Sequence, residues 1–158
     1  MQRRFPPTAG AYCPLAAQVV ISHEAVHAVT QAPESGAEAW LLEGFADYVA
    51  LRDVGLPLSR TAGQIIAQVR EDGIPAALPS RTDLDSQAAH LGAAYESAWL
   101  VCMTLAQHGG EEALVAFYGA VLDGADLEEE LRSRFGWSIA DLTRAWQQQL
   151  QTLAKPRG

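Results

Sequence analysis

Lysine is almost missing from this chain: Lys155 is the only one. Eleven basic residues face nineteen acidic ones, leaving a net charge of −8 and a pI near 4.8. Phosphate backbones are held by clustered Lys and Arg, so this balance argues against nucleic acid as the main partner. Cysteine is also scarce. Cys13 and Cys102 stand far apart, and two thiols in a chain this long do not make a disulfide framework. They read as one thiol near the N-terminus and one in a helix core. No apolar run approaches the ~18–20 residues of a membrane span. Arg3 and Arg4 are followed by Pro6 and Pro7 rather than by an apolar stretch, so the N-terminus does not read as a signal peptide. The expectation is a soluble chain, cytoplasmic as given and secreted if it is a piece of a longer protein. Alternating strand-like patterns, internal repeats and low-complexity tracts are missing as well.

What remains is helical. The 158 residues fit one domain, and a chain of this size can bury roughly 68–70% of its unfolded surface without staples. Pro6, Pro7, Gly10 and Pro14 make residues 1–14 an irregular lead-in. Helices are expected from about Leu15 to Val29, from Ala37 to Val54 with Ser35 as N-cap, and from Ala62 to Arg70 with Ser59 or Thr61 as cap. Glu71 to Arg81 is a long connection. Four more helices follow, over about Ser86–Gln107, Glu111–Leu122, Leu127–Phe135 and onward from a Ser138 cap. The fold class is therefore mainly α, with about seven helices in a single domain spanning 1–158.

The chemistry concentrates at His23-Glu24-Ala25-Val26-His27, an HExxH pattern. Imidazoles four residues apart share one helix face, about 5–6 Å apart at Cβ. Both can reach one tetrahedral ion through Zn–N bonds of about 2.0–2.1 Å. Glu24, beside the first imidazole, can reach a water on that ion. A catalytic zinc site needs a third protein ligand and an open position. The metzincin arrangement would place a His at position 33 and a Gly at 30, but Pro33 and Thr30 stand there.

A carboxylate on the next helix is the other common third ligand, and Trp40-Leu41-Leu42-Glu43-Gly44-Phe45-Ala46-Asp47-Tyr48 supplies one. HExxH followed by WLxEGxAxY resembles the gluzincin metallopeptidases, the peptidase MA-like group related to thermolysin and the zinc aminopeptidases. The resemblance covers about residues 15–150, with its specific motifs within 23–48 and a weaker match near Tyr95. It implies a catalytic Zn2+ held by His23, His27 and Glu43. Asp47, at i+4 from Glu43, resembles the carboxylate that accepts the other ring N–H of a zinc-binding His. The exchanged assignment, Asp47 as ligand and Glu43 as helper, stays open. The spacer from Ala28 to Leu42 is shorter than in the zinc aminopeptidases, and a tight interhelical turn would bridge it. The implied reaction is hydrolysis of a peptide or protein substrate by a zinc-activated water, with Glu24 as general base. Tyr95 occupies the position of the family's oxyanion donor, with His90 and Tyr48 as rivals.

The family's small β-sheet ahead of the HExxH helix is largely missing from the 22 residues that precede His23. In the family its edge strand pairs with substrate backbone. The chain thus reads as the C-terminal portion of a longer protein or as a reduced member. A second function class therefore stays open, a non-catalytic zinc-binding helical module that docks a partner. Glu24 favours the enzyme, because a structural zinc site needs no general base and closes its fourth position with a protein ligand.

Overall fold

Ser138 shows how directly this sequence writes some of its helices. Its hydroxyl accepts from the Asp141 amide at 3.2 Å, while the Asp141 carboxylate accepts from the Ser138 amide at 3.0 Å. This reciprocal cap starts the last helix, Ile139–Ala154. The computed structural model of the chain describes residues 13–155. Eight α-helices run in order: α1 Cys13–Thr30, α2 Ala39–Leu51, α3 Leu58–Thr61, α4 Gly63–Asp72, α5 Leu91–Gly109, α6 Glu111–Leu122, α7 Leu127–Phe135 and α8 Ile139–Ala154. No strand occurs among the described residues, in keeping with a mainly α fold. Most of the lead-in expected over 1–14 lies outside the described residues, and its last two, Cys13 and Pro14, already belong to α1.

Two helix caps and one helix start differ from the sequence expectation, each for a stated reason. Ser35 does not cap α2. Its hydroxyl donates to the Ala32 carbonyl at 2.8 Å within a 3-10 turn, and α2 begins at Ala39 behind Glu38, without a side-chain cap. Ser59 and Thr61 do not cap α4, because residues 58–61 form the separate short helix α3. The amide of Ile65 in the first turn of α4 is instead held by Glu96 of α5 at 2.9 Å, across 31 positions of sequence. The fourth expected helix starts at Leu91 rather than Ser86. Asp83 and Asp85 spend their carboxylates on nearby backbone at Ser80 and Gln87, which holds that stretch in turns instead.

α5 is the central element. It packs against α2, α4, α6 and α8, and α1 packs mainly on α2. The core gathers Leu41 of α2, Leu100 and Leu105 of α5, Phe117 of α6, and Leu142 and Trp146 of α8, all at most 2% exposed. The α2–α5 contact is unusually close. A Cβ at Gly44 would overlap the Ala98 carbonyl and press on the Cys102 sulfur, so only glycine lets the two backbones approach this far. Cys102 is the core thiol expected from sequence; burial and the charge of Asp47 push its pKa far up. No helix among the described residues is long and apolar enough to cross a membrane.

Candidate metal centre

α1 ends at Thr30, whose hydroxyl donates to the Val26 carbonyl at 2.7 Å and lies 3.1 Å from the Tyr118 hydroxyl of α6. Gln31 then turns the chain in the left-handed region, φ 53°, and the 3-10 turn Ala32–Glu34 leads toward α2. This tight reversal folds α1 back onto α2. The pair His23 and His27 at i,i+4 on one helix faces the pair Glu43 and Asp47 at i,i+4 on the other.

The facing atoms meet in a small triangle. His27 Nε2 lies 3.0 Å from His23 Nε2. Glu43 Oε2 lies 3.1 Å from His23 Nε2 and 3.2 Å from His27 Nε2. On the other edge of the ring, His23 Nδ1 donates to Asp47 Oδ1 at 2.7 Å. That bond fixes the tautomer, so the neutral His23 ring turns its Nε2 lone pair toward the other two atoms. All four side chains are largely buried, with 13–24% of each exposed.

Three electron-rich atoms at such separations need a proton or a cation among them. As a free imidazole, His23 meets that need by holding a proton. Burial works against its cation, but the hydrogen bonds and charges of Asp47 and Glu43 outweigh burial, and its pKa is pushed up to about 10. Burial likewise acts to raise the pKa of Glu43, yet the bonds and charges of both imidazoles hold it below the ordinary carboxylate value. A zinc ion fits the same place. Ligand atoms about 2.0–2.2 Å from one tetrahedral ion lie about 3.3–3.6 Å from each other, slightly wider than the observed triangle of 3.0–3.2 Å. Two imidazoles and one carboxylate also match the donor set of sites that keep a position open. The Nδ1 of His27 is buried and has no hydrogen-bond partner, so the two imidazoles are supported unequally.

The other expected site residues divide. Glu24 is exposed on α1, on the helix turn that carries both imidazoles. The Tyr95 ring lies 6.1 Å from the His23 ring. Burial raises its hydroxyl pKa, and the charges of Glu43, Asp47 and Glu24 add to that rise. The rivals of Tyr95 lie elsewhere. Tyr48 donates to Glu111 at 3.0 Å, beside the Arg52–Glu111 ion pair, and His90 is exposed at the start of α5. Of the two carboxylates, Glu43 faces both Nε2 atoms, whereas Asp47 meets only the far nitrogen of His23.

Two supporting residues escape the sequence reading. Tyr118 stacks on Phe45 of α2, ring centroids 3.8 Å apart, and its hydroxyl meets Thr30. It thereby ties the end of α1 to the helix that carries Glu43. In sequence Tyr118 is one of several apolar positions on α6, and nothing local points 88 residues back to Thr30. Gly44 is visible in sequence as a neighbour of Glu43, but its closeness to α5 is not. No family model, curated protein or solved structure matches this chain.

Proposed function

We propose that this chain is a zinc-dependent metallopeptidase of the gluzincin type. The observation that carries the reading is the triangle of His23 Nε2, His27 Nε2 and Glu43 Oε2, with sides of 3.0–3.2 Å and Asp47 behind His23. His23, His27 and Glu43 hold the ion, and Asp47 keeps the His23 ring oriented and raises its basicity as a ligand. Zinc in such a site polarises a carbonyl and lowers the pKa of a bound water toward about 7. Glu24 takes the proton released by the attacking water and delivers it to the departing amine. The Tyr95 hydroxyl donates to the oxygen on which negative charge develops.

A second reading rests on a different observation. No strand accompanies the centre among the described residues, so these residues offer a peptide substrate no sheet edge to pair with. This favours a non-catalytic zinc-binding helical module that docks a protein partner. One experiment separates the two. Metal content of the purified protein is measured, and wild type and Glu24→Gln are assayed on broad peptide libraries. The peptidase reading expects about one zinc per chain in both proteins, and turnover reduced by about 10²–10⁴-fold in the variant. Zinc without turnover that depends on Glu24 favours the module, and no zinc in the wild type overturns both.

A further inference from the structure

α1 carries apolar residues on every side. Val26 packs on the core from one face, yet the face turned away from it also lacks charge apart from Glu24. Ala17, Gln18, Ile21, Glu24 and Ala25 are all exposed there. A helix that is apolar all round is normally covered all round. The described residues leave this one bare, because α1 packs mainly on α2.

The order of residues on the bare face indicates what fits it. Ala17 and Ala25 lie about 40° to either side of Ile21, one before and one after it, and Gln18 and Glu24 lie about 60° to either side. In size the face reads the same from both ends, small then Ile21 then small. In polarity its ends are complementary, with an amide before Ile21 and a carboxylate after it. A two-fold contact sets one patch against its own copy. With two copies of α1 antiparallel and the axis at Ile21, Ala17 of each copy lies level with Ala25 of the other. Small side chains there let the helices come close. Gln18 of each copy lies level with Glu24 of the other, so an amide N–H donates to a carboxylate twice. Each chain carries a net charge of −8, which makes two copies repel. α1 adds little to that repulsion, since it holds one acid and no Lys or Arg.

We infer that this face of α1 docks a second copy of the chain, giving an antiparallel two-fold dimer centred on Ile21. One helix face is a small contact, so the dimer is transient and not obligate. Sedimentation equilibrium of the full chain at rising concentration is expected to show the mass moving from one chain toward two. Ile21→Glu sets two carboxylates together on the axis and is expected to weaken association by more than about tenfold. Ile21 is 68% exposed, and an unchanged circular dichroism spectrum checks that the variant keeps its fold. Val115→Glu, at a half-exposed position on α6, is expected to leave association unchanged. Gln18 tests the register. Gln18→Glu, set against Glu24 of the other copy, is expected to weaken association several-fold, and Gln18→Lys to strengthen it. In a parallel pair Gln18 would face itself, and both variants would weaken association. Mass is read directly, so the result does not depend on zinc or on peptide turnover. A chain that stays monomeric at every concentration would leave the face to a different partner and overturns the inference. Association that survives Ile21→Glu, that Val115→Glu weakens equally, or that both Gln18 variants weaken overturns it too.

Discussion

His23 is the most constrained residue of the centre, held at both ring nitrogens. Its hydrogen bond to Asp47 is the support most open to test. Asp47→Asn keeps the shape but removes the charge that favours a proton on Nδ1. Such supports are typically worth 10–100-fold in metal affinity, so Asp47→Asn is expected to weaken zinc binding by about that factor in a competition titration with a chelating dye. The pH dependence follows from the same ring. In the metal-free protein the His23 pKa stands at about 10, above its ordinary 6.5. A raised folded pKa stabilises fully below the unfolded value and loses that contribution as pH rises through the folded one. The metal-free centre is therefore expected to lose stability from about pH 6.5 upward. Under the proposed function zinc would take the neutral imidazole and displace the proton, so its binding is expected to strengthen over the same interval. The rise in Tm on adding one equivalent of zinc is expected to be larger at pH 8 than at pH 6. An increment that is the same or smaller at pH 8 would speak against His23 as a ligand.

At the scale of elements, the α2–α5 contact sets where Glu43 and Asp47 stand. Gly44→Ala would drive a methyl group into the Ala98 carbonyl. Overpacking of this kind costs about 1–3 kcal/mol, and relief requires α2 to move and carry its neighbouring carboxylate away from the imidazoles. The variant is expected to lower the denaturation midpoint and zinc affinity together; a normal affinity in the destabilised protein would show that α2 relaxes without moving Glu43. Legibility in sequence follows the range of the interaction at each element. HEAVH, the Glu43–Asp47 pair and the Ser138 cap all work within one or two helical turns, and each could be read directly. The group that caps α4 could not, because the Ile65 amide is held by Glu96, 31 residues away. The start of α5 was obscured by side chains that bond locally and hold turns. The approach at Gly44 and the clasp between Thr30 and Tyr118 depend on how helices pack. Periodicity gives the apolar face of a helix but not the distance to its neighbour.

For the whole molecule, the arrangement is lopsided. α5 is surrounded, while α1 rests chiefly on α2 and leaves Val20, Ile21 and Val29 at 59%, 68% and 84% exposed. Both imidazoles ride on this thinly covered helix. Its backbone amides are therefore expected to open at lower free energy than those of α5. A ligand present at 100 times its Kd adds about 2.7 kcal/mol to the state that binds it. Hydrogen exchange over residues 13–30 is thus expected to slow markedly on adding zinc, with little change in α5. Equal slowing in both helices would mean that they open as one unit. The peripheral seat of α1 has a consequence for how variants of this protein will be read. If the helix is docked for only a fraction of the time, apparent metal affinity is reduced by that fraction. Trimming Val26, which packs on the core from α1, would then look like damage to a ligand although no donor atom has changed. The dissociation constant would be reporting the seam between two helices as much as the coordination chemistry of three side chains.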